Sequence, residues 1–349
     1  MFPSSVRILG IETSCDETSI AVVDNGTEVL SNVINSSVPL HQATGGVVPE
    51  VAARDAAKKI IPVLKQALAE AKIEMTSVDA IAVTAGPGLA GSLLVGIQVA
   101  KTLAFLHKKP LIPVNHITGH ICSGRLLRSE EPDFPAMVLT VSGGHNDLVL
   151  WKGEYEFEIL GRTLDDAAGE AFDKGARLLG LGFPGGPEIA RVAESGIANA
   201  YHFPRPMIGS GNDNFSFSGL KTALLYTIQD LVKKGEDPKG EGIVADLSAS
   251  YQEAICDTLA RKLFDVFDRF EDVEEVYVTG GVSANRRLRE ILFLGSHKRK
   301  IGFHFPEKLE FCTDNGAMIA GAAYWKYRSF PEKTWDWELV EPVLHRELF

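Results

Sequence analysis

The stretch ETSCDETSIAVVD, residues 12–24, decides the fold class. β-rich runs at 6–12, 19–24 and 28–34 are separated by polar positions that predict tight turns. A related stretch, VSGGHNDLVLWK at 141–152, again predicts a strand, a polar turn and a second strand. The order of elements around the first stretch therefore recurs in the second half of the chain.

A strand that runs through a glycine turn into a helix also occurs twice. VTAGPGLAGSLL spans residues 83–94, and VTGGVSANRRLR spans residues 278–289. Strand and helix patterns alternate along the whole chain, which is typical of an α/β protein. We therefore predict a duplicated, two-lobed α/β fold with a central cleft between the copies.

The spacing of the two motifs suggests where the lobes begin and end. The motifs lie about 70 residues apart in the first half and about 140 apart in the second. The extra length falls around 180–240, which is interpreted as an insertion of binding loops. We predict a first lobe at 1–134, a second lobe at 135–325 and a tail at 326–349, with the helix after about residue 315 packing back on the first lobe.

Composition narrows the class of protein. The 349 residues are 45% hydrophobic and 23% charged, which excludes extensive disorder. The net charge of -11 argues against general affinity for nucleic acid or anionic membranes, but allows RNA binding at a local basic patch. Four scattered cysteines favour a reducing compartment. The most apolar stretch, 93–106, is interrupted by Gln98 and Lys101, so we expect a cytoplasmic protein without a membrane span.

The sequence HITGH offers a candidate metal site. His116 and His120 are four residues apart, so a helix would place both imidazoles on one face, where they could share a metal ion. Two unrelated polar residues at a helix start are the alternative. Ile117 and Thr118 stand where a metalloprotease of the HExxH type needs its general base, which disfavours that activity.

Glycine turns suggest a ligand that carries phosphate, because glycine lets backbone N–H groups approach phosphate closely. Neither a dinucleotide fingerprint nor a Walker motif is present in the sequence. The turns are Gly86-Pro87-Gly88, Ser142-Gly143-Gly144, Gly185-Gly186 and Gly280-Gly281.

Two charged clusters accompany these turns. Asp166, Glu170 and Asp173 form a carboxylate stripe at helical spacing, which indicates either a ligand site or acids that favour a helix N-terminus. The basic residues between 286 and 300 form either a solvated face or a phosphate-backbone contact.

Taken in order, ten short blocks closely resemble the universal tRNA threonylcarbamoyladenosine family, in its bacterial type. Its members are threonylcarbamoyl transferases formerly labelled O-sialoglycoprotein endopeptidases, and the match runs from about residue 7 to residue 325. The blocks are GIETSCDET, GGVVPE, TAGPGL, HITGH, VSGGH, DDAAGEAFDK, FPGGP, FSFSGLKT, GGVSANRRLR and FCTDNGAMIA.

The resemblance implies both a fold and a reaction. The fold is the two-lobed one shared by actin, sugar kinases and Hsp70 chaperones. The reaction moves the threonylcarbamoyl group of threonylcarbamoyl-AMP to N6 of the adenosine that follows the anticodon, in tRNAs reading codons that begin with A, and releases AMP. An HxxxH metalloprotease and a small-molecule kinase of the same superfold are the alternatives.

The resemblance also implies which residues act. His116, His120 and Asp314 match the metal ligands, and the divalent ion is expected to be Fe²⁺, with Zn²⁺ as the alternative. Glu12 and Asp16 are our candidates for the catalytic base. The positions that match the family's adenylate-binding residues are Thr140, Val141, Ser142, Gly143, Gly144, Asp173, Gly186 and Asn285.

Bacterial relatives act with an inactive paralogue of the same fold and a small ATPase, so we expect both as partners, with tRNA as the substrate and no membrane. Three positions depart from the family pattern. Many relatives carry Glu where Thr118 stands, and bacterial members commonly carry His where Ala56 and Asn115 stand. We transfer no role to those positions.

Overall fold

Two five-stranded sheets form the framework of the protein, one in each of two units. The computed structural model describes residues 5–41, 46–330, 333 and 335–343. The first unit comprises Met1–Pro132, Lys152–Phe157 and Pro306–Phe349, and the second comprises Asp133–Trp151 and Glu158–Phe305.

Strands and helices alternate as the sequence predicts. The strands are β1 (Arg7–Glu12), β2 (Glu17–Asp24), β3 (Glu28–Ser36), β4 (Ala80–Gly86), β5 (Leu111–Asn115), β6 (Ala136–Val141), β7 (Asn146–Gly153), β8 (Glu156–Arg162), β9 (Glu275–Thr279) and β10 (Gly302–His304). The helices are α1 (Val38–His41), α2 (Pro49–Ala71), α3 (Ala90–His107), α4 (His116–Ser123), α5 (Ala168–Leu179), α6 (Gly185–Ala193), α7 (Ser218–Lys233), α8 (Glu241–Phe267), α9 (Arg286–Arg299) and α10 (Gly316–Ser329).

The two sheets share one topology. The first has the strand order β3-β2-β1-β4-β5, and the second has the order β8-β7-β6-β9-β10. In each sheet the first strand of the unit pairs antiparallel with the next strand and parallel with a later one, as β1 does with β2 and β4. The prediction of a duplicated α/β fold is confirmed.

Buried apolar runs explain the cores. All seven residues of β4 (AIAVTAG) are buried, as expected of a strand that has neighbours on both sides and is covered by helices. In the second unit, α8 buries the apolar positions that the sequence spaced at four-residue steps, including Leu247, Ile255 and Leu263. These side chains join one core cluster with β6 and β9.

Helix α3 is the one helix in the described part of the chain that is long and apolar enough, by length and composition, to cross a membrane. One face of this helix belongs to the core of the first unit, where Leu93, Ile97 and Ala100 are buried among sheet residues. On its outer side, Lys101 Nζ donates to the backbone oxygen of Glu338 at 3.3 Å.

The tail beyond the motif blocks packs on the same unit. The backbone N–H of Val343 donates to the oxygen of Ala85 at 2.7 Å, and Leu111 donates to the oxygen of Trp335 at 3.4 Å. Val340 is buried in the core cluster of the first unit. The described tail residues therefore extend this unit.

Residues 306–325 also cluster with the first unit, where the sequence division expected only the helix after about residue 315 to pack. The physical reason is the seating of α10 on the first sheet. The backbone N–H of Gly316 donates to Ser19 Oγ at 2.8 Å, and that of Ala317 donates to Asn32 Oδ1 at 3.3 Å. Polar side chains of β2 and β3 thus accept hydrogen bonds from backbone N–H groups that have no partner within the helix at its start.

Candidate functional site

Helix α4 carries the two histidines of HITGH and starts at an asparagine cap. Asn115 Oδ1 accepts from the N–H groups of Ile117 at 2.8 Å and Thr118 at 3.4 Å. The cap fixes the first turn, so that His116 and His120 project from adjacent turns of one buried face. The asparagine that departs from the family pattern therefore has a structural role here.

Asp314 is brought to the same place by a second capped helix. Asn315 Oδ1 accepts from Met318 N at 2.9 Å and begins α10, directly after Asp314. Helix α10 packs on α4 at Gly119, where an added Cβ would press on the side chains of Ile319 and Met318. The small residue between the histidines thus permits the close approach of the two helices.

The three side chains form a compact group within the first unit. The Nε2 atoms of His120 and His116 lie 3.0 and 3.6 Å from Asp314 Oδ1. One possible ligand atom from each residue lies within 4.8 Å of the others. The imidazole rings stand nearly perpendicular, at 83°, with their centroids 4.7 Å apart. A divalent ion with nitrogen and oxygen ligands suits such a group.

The hydrogen bonding of His120 fits a metal ligand. This residue is completely buried; its Nδ1 has no hydrogen-bond partner among the described residues, and its Nε2 has only the Asp314 carboxylate beside it, at 3.0 Å. A buried imidazole nitrogen without a partner loses the hydrogen bond that water would give it, which costs about 1–3 kcal/mol. A coordinated ion would satisfy one of these nitrogens.

Charge around His116 favours its protonated form before a cation binds. Burial lowers the pKa of His116, but the negative charges of Asp314 and Glu12 outweigh it and raise the pKa to about 9. A bound cation would compete with that proton for the same imidazole, since a metal ligand must be neutral.

Glu12 lies directly behind His116, at the end of β1. Its carboxylate is fully buried and accepts from Ser14 N and from Thr84 Oγ1, each at 2.5 Å. Its Oε2 also lies 3.2 Å from His116 Nδ1. Sequence reasoning missed Ser14 and Thr84 as members of the site, since neither stands next to a candidate ligand along the chain.

Asp16 lies in the turn between β1 and β2 and is partly exposed. Burial, together with the negative charges of Asp16 and Asp314, holds the pKa of Glu17 well above its usual range. The neighbouring turn therefore concentrates carboxyl groups close to Asp314.

The second unit gathers the residues expected to bind adenylate. Strands β6 and β9 run parallel, with Thr140 opposite Thr279, so the turns that follow them lie side by side at the carboxyl ends of the strands. Thr140 and Val141 are buried at the end of β6. This edge of a parallel sheet is where open α/β folds bind ligands.

The turn Ser142–Gly144 is held from behind and open in front. The N-terminus of α5 supports it, because Gly169 N donates to Ser142 O at 3.2 Å and Glu170 N donates to Gly143 O at 3.1 Å. An added Cβ at Gly143 or Gly144 would meet no described atom within 4 Å other than those of its chain neighbours. Packing among the described residues therefore does not require glycine at these two positions.

Asp173 lies on α5, Gly186 lies in the first turn of α6, and Asn285 directly precedes α9. Asp173 Oδ1 accepts from Gly185 N at 2.6 Å, which links α5 to the first residue of α6. Asn285 Oδ1 accepts from Leu288 N at 3.1 Å and caps α9. Its Nδ2 donates to Gln252 at 2.8 Å, a contact that the sequence did not indicate.

The carboxylate stripe has a cationic partner. Lys174 Nζ lies 2.6 Å from Asp166 Oδ1 and 3.1 Å from Glu170 Oε1, which offsets the repulsion between the acids. The neighbouring Asp165 accepts hydrogen bonds from both Ser216 and Ser218. These acids therefore organise the second unit: the backbone N–H of Glu170 contacts the Ser142–Gly144 turn, and Asp173 binds the start of α6.

The basic cluster of α9 is largely neutralised. Arg287 pairs with Glu253 through two hydrogen bonds, at 2.6 and 2.9 Å, and Arg299 pairs with Asp268 through two more, at 2.7 and 2.6 Å. Arg286 Nε lies 3.1 Å from Glu290. This pairing favours the solvated-face interpretation over a phosphate-backbone contact.

Fold and sites together define a duplicated α/β protein of the actin and sugar-kinase superfold, with a His–His–Asp group suited to a divalent ion. The crystal structure of HypF in its phosphate- and nucleotide-bound form has the same fold, at a TM-score of 0.60 and 13% identity. The match covers 95% of this chain and 47% of that one.

The family model "TsaD: tRNA N6-adenosine threonylcarbamoyltransferase" matches residues 28–321. A protein of that name from Thermomicrobium roseum is 51% identical over 338 residues, and the match covers 91% of each chain. Another from Desulfitobacterium hafniense is 49% identical, covering 95% of each chain. This chain belongs to the tRNA N6-adenosine threonylcarbamoyltransferase family and is a transferase. The family gives no support to the metalloprotease or kinase alternatives.

Proposed function

We propose that this protein transfers the threonylcarbamoyl group of threonylcarbamoyl-AMP to N6 of the adenosine that follows the anticodon, in tRNAs reading codons that begin with A. Membership of the transferase family supports the reaction. The observation that carries the proposal for this chain is the group of His116, His120 and Asp314, in which the Nε2 atoms of both histidines lie within 3.6 Å of Asp314 Oδ1.

His116, His120 and Asp314 would hold one divalent ion. Nitrogen and oxygen ligands suit both Fe²⁺ and Zn²⁺, and we propose Fe²⁺ with Zn²⁺ as the alternative. When bound, the ion would supply Lewis acidity to the carbamoyl oxygen or to the phosphate of the leaving AMP.

The second unit would bind the adenylate part of the donor. The open space beside Gly143 and Gly144 supports this assignment, because phosphate oxygens need close access to backbone N–H groups. Asp173 and Asn285 offer hydrogen-bonding groups for ribose hydroxyls or the adenine edge. Thr140 and Val141 end β6 and lead into the turn that begins at Ser142, and Gly186, in the first turn of α6, would complete the set.

In the transfer step, N6 of adenosine attacks the carbamoyl carbon, and the new C–N bond replaces the bond from that carbon to the phosphate oxygen of AMP. AMP leaves with the electron pair, and N6 loses one proton. We propose Asp16 as the group that accepts this proton, because its carboxyl group lies in a partly exposed turn. Glu12, the other candidate, is enclosed by three polar groups of its own unit.

We also propose the cellular setting that the bacterial type of the motifs suggests. The protein would work in the cytoplasm with an inactive paralogue of the same fold and a small ATPase. Burial of one face of α3 in a protein core supports a location away from the membrane.

A reconstitution with defined components tests the function. The purified protein, its two bacterial partner proteins, synthetic threonylcarbamoyl-AMP and an unmodified tRNA transcript are incubated with Fe²⁺ or Zn²⁺, and the digested nucleosides are examined by mass spectrometry. We expect threonylcarbamoyladenosine from the wild type and none from His120→Ala. A transcript with guanosine after the anticodon is the matched substrate control and stays unmodified.

Two results would contradict this function. The first is the absence of modified adenosine when the wild type is folded and binds both the metal and an adenylate. The second is chelator-sensitive cleavage of a glycoprotein that His120→Ala abolishes, which would indicate a peptidase instead.

A further inference from the structure

We propose that Glu12 is a positioning residue of the metal centre, which holds His116 so that its Nε2 faces the ion. The inference rests on the proposed function only in that the His116–His120–Asp314 group binds a divalent cation. It assigns Glu12 to the support of a ligand instead of to the removal of a proton from the substrate.

Both carboxylate oxygens of Glu12 are occupied by polar groups of the protein. Oε1 accepts from the backbone N–H of Ser14, and Oε2 accepts from Thr84 Oγ1, each at 2.5 Å. Oε2 also lies 3.2 Å from His116 Nδ1. Since the side chain is completely buried, neither oxygen is open to a substrate in this conformation.

This arrangement selects one form of the imidazole. A carboxylate only accepts hydrogen bonds, so the Nδ1 of His116 must carry the hydrogen that faces Glu12. In the neutral ring, Nε2 then holds the lone pair, and Nε2 is the atom that lies 3.6 Å from Asp314 Oδ1. A carboxylate behind a ligating histidine both fixes the ring and makes it a better ligand.

The surrounding loops are built to hold the pair. Ser14 Oγ lies 3.1 Å from the same Nδ1, and Ser14 O accepts from Leu89 N at 2.7 Å. An added Cβ at Gly88 would collide with the backbone and side chain of Ser14. The GIETS and TAGPGL blocks, to which sequence spacing assigned no contact with the histidines, therefore meet directly behind one of them.

His120 provides an internal contrast. Its Nε2 approaches Asp314 Oδ1 at 3.0 Å, but its Nδ1 has no hydrogen-bond partner in the described part of the chain, so no described residue holds this ring from behind. Loss of the Glu12 carboxylate should therefore change the coordination of His116 and leave that of His120 in place. A general disturbance of the fold would affect both histidines.

The test compares metal binding in Glu12→Gln, Thr84→Val and the wild type, by Zn²⁺ competition with a chromophoric chelator. In Glu12→Gln the new side-chain oxygen can still accept from Ser14 N, so the amide NH₂ would point at Nδ1 and favour the tautomer whose Nε2 carries hydrogen. We expect Zn²⁺ affinity to fall by about 10–100-fold in this variant.

Thr84→Val removes one donor to the carboxylate and should give a smaller loss. Asp24→Asn, which removes a buried carboxylate from β2 that pairs with Arg7, is the structural control and keeps wild-type affinity.

A spectroscopic readout separates positioning from stability. In the Zn²⁺-loaded wild type labelled with ¹⁵N-histidine, we expect His116 to coordinate through Nε2 and to carry hydrogen on Nδ1. In Glu12→Gln the His116 signals should change, while His120 stays coordinated. If Glu12→Gln fails to fold, the Zn²⁺ affinity of Thr84→Val tests the proposal: a lower affinity than the wild type supports it, and an unchanged affinity contradicts it.

Three results would overturn the proposal: coordination of His116 through Nδ1, Zn²⁺ affinity within twofold of the wild type in both variants, or unchanged affinity of a folded Glu12→Gln protein that has lost single-turnover transfer. The last would place Glu12 on the reacting atoms. Failure of the proposed function would look different, because the wild type would bind Zn²⁺ and still form no modified adenosine.

Discussion

Asn115 and Asn315 occupy matching positions, since each caps the helix that begins beside a candidate metal ligand. Asn115 precedes His116 and caps α4, and Asn315 follows Asp314 and caps α10. The side-chain oxygen of each accepts a backbone N–H from the first turn. The two caps thus fix the backbone next to His116 and Asp314, two candidate metal ligands that are distant in the sequence.

Removal of one cap should loosen the metal group. Asn115→Ala leaves the N–H groups of Ile117 and Thr118 without their acceptor, and we expect the free energy of unfolding to fall by about 1 kcal/mol, as is usual for a lost N-cap. Zn²⁺ affinity should fall with it. Urea unfolding and metal titration measure both effects. Asn115→Asp keeps an acceptor and is the control; equal losses in both variants would show that capping is not the cause.

Metal binding should release a proton from His116. Because its pKa is raised to about 9 in the metal-free protein, His116 is mostly protonated at pH 7.5 and must lose that proton to become a ligand. Metal affinity should therefore rise with pH up to about 9. Titration calorimetry in buffers of different ionisation enthalpy should give close to one proton released per ion at pH 7.5. No dependence on the buffer would contradict this assignment.

A substitution on the open face of the Ser142–Gly144 turn should weaken ligand binding without lowering the stability of the protein. In Gly143→Ala the new methyl group meets no atom of the described residues within 4 Å apart from its chain neighbours, so the melting temperature should stay the same or rise slightly. The affinity for an unreactive threonylcarbamoyl-AMP analogue should fall at least tenfold, because the methyl enters the proposed ligand space. Gly242→Ala, another glycine with open surroundings, is the control. Unchanged analogue affinity in Gly143→Ala would move the ligand away from this turn.

Lys326 predicts a pH dependence of stability that is independent of the metal. Burial, with a smaller effect of the Lys333 charge, lowers the pKa of Lys326 to about 8, while its Nζ donates to Pro113 O at 2.7 Å. The unfolded chain keeps this proton up to about pH 10.5, so it binds more protons than the folded state between pH 8 and 10.5. Stability should therefore rise with pH across that interval, by up to about 3 kcal/mol from this group.

Lys326→Met tests this assignment because it keeps an unbranched apolar stem and removes the charge. Urea unfolding at pH 8, 9 and 10 should show a flatter pH dependence in the variant than in the wild type. The same slope in both proteins would mean that Lys326 is not the group responsible.

Much of the fold was predictable from pattern. The repeated motifs around residues 12–24 and 141–152 predicted a duplicated α/β fold, and the two sheets indeed share one strand order. The sequence led us to expect that the helix after about residue 315 packs on the first lobe, but it did not indicate which residues hold α10 there. The backbone N–H groups at the helix start donate to Ser19 and Asn32, which lie almost 300 residues away in the sequence.

The candidate site was predictable only in part. The spacing of His116 and His120 indicated that they could share a metal ion, but Asp314 was identified as the third ligand only from the family resemblance. No periodicity links Asp314 to a helix that starts about 200 residues earlier. The contacts of Glu12 with Thr84, and of Lys174 with the acidic stripe, arise from tertiary packing that carries no signal along the chain.

A single ion held by His116, His120 and Asp314 should be required for transfer. The most direct measurement titrates the metal-free protein with Fe²⁺ under anaerobic conditions and follows bound ion and single-turnover transfer to tRNA in the same samples. We predict that both rise together and level off at one ion per chain, and that His120→Ala abolishes both. Full transfer by protein shown to contain no metal would contradict the account.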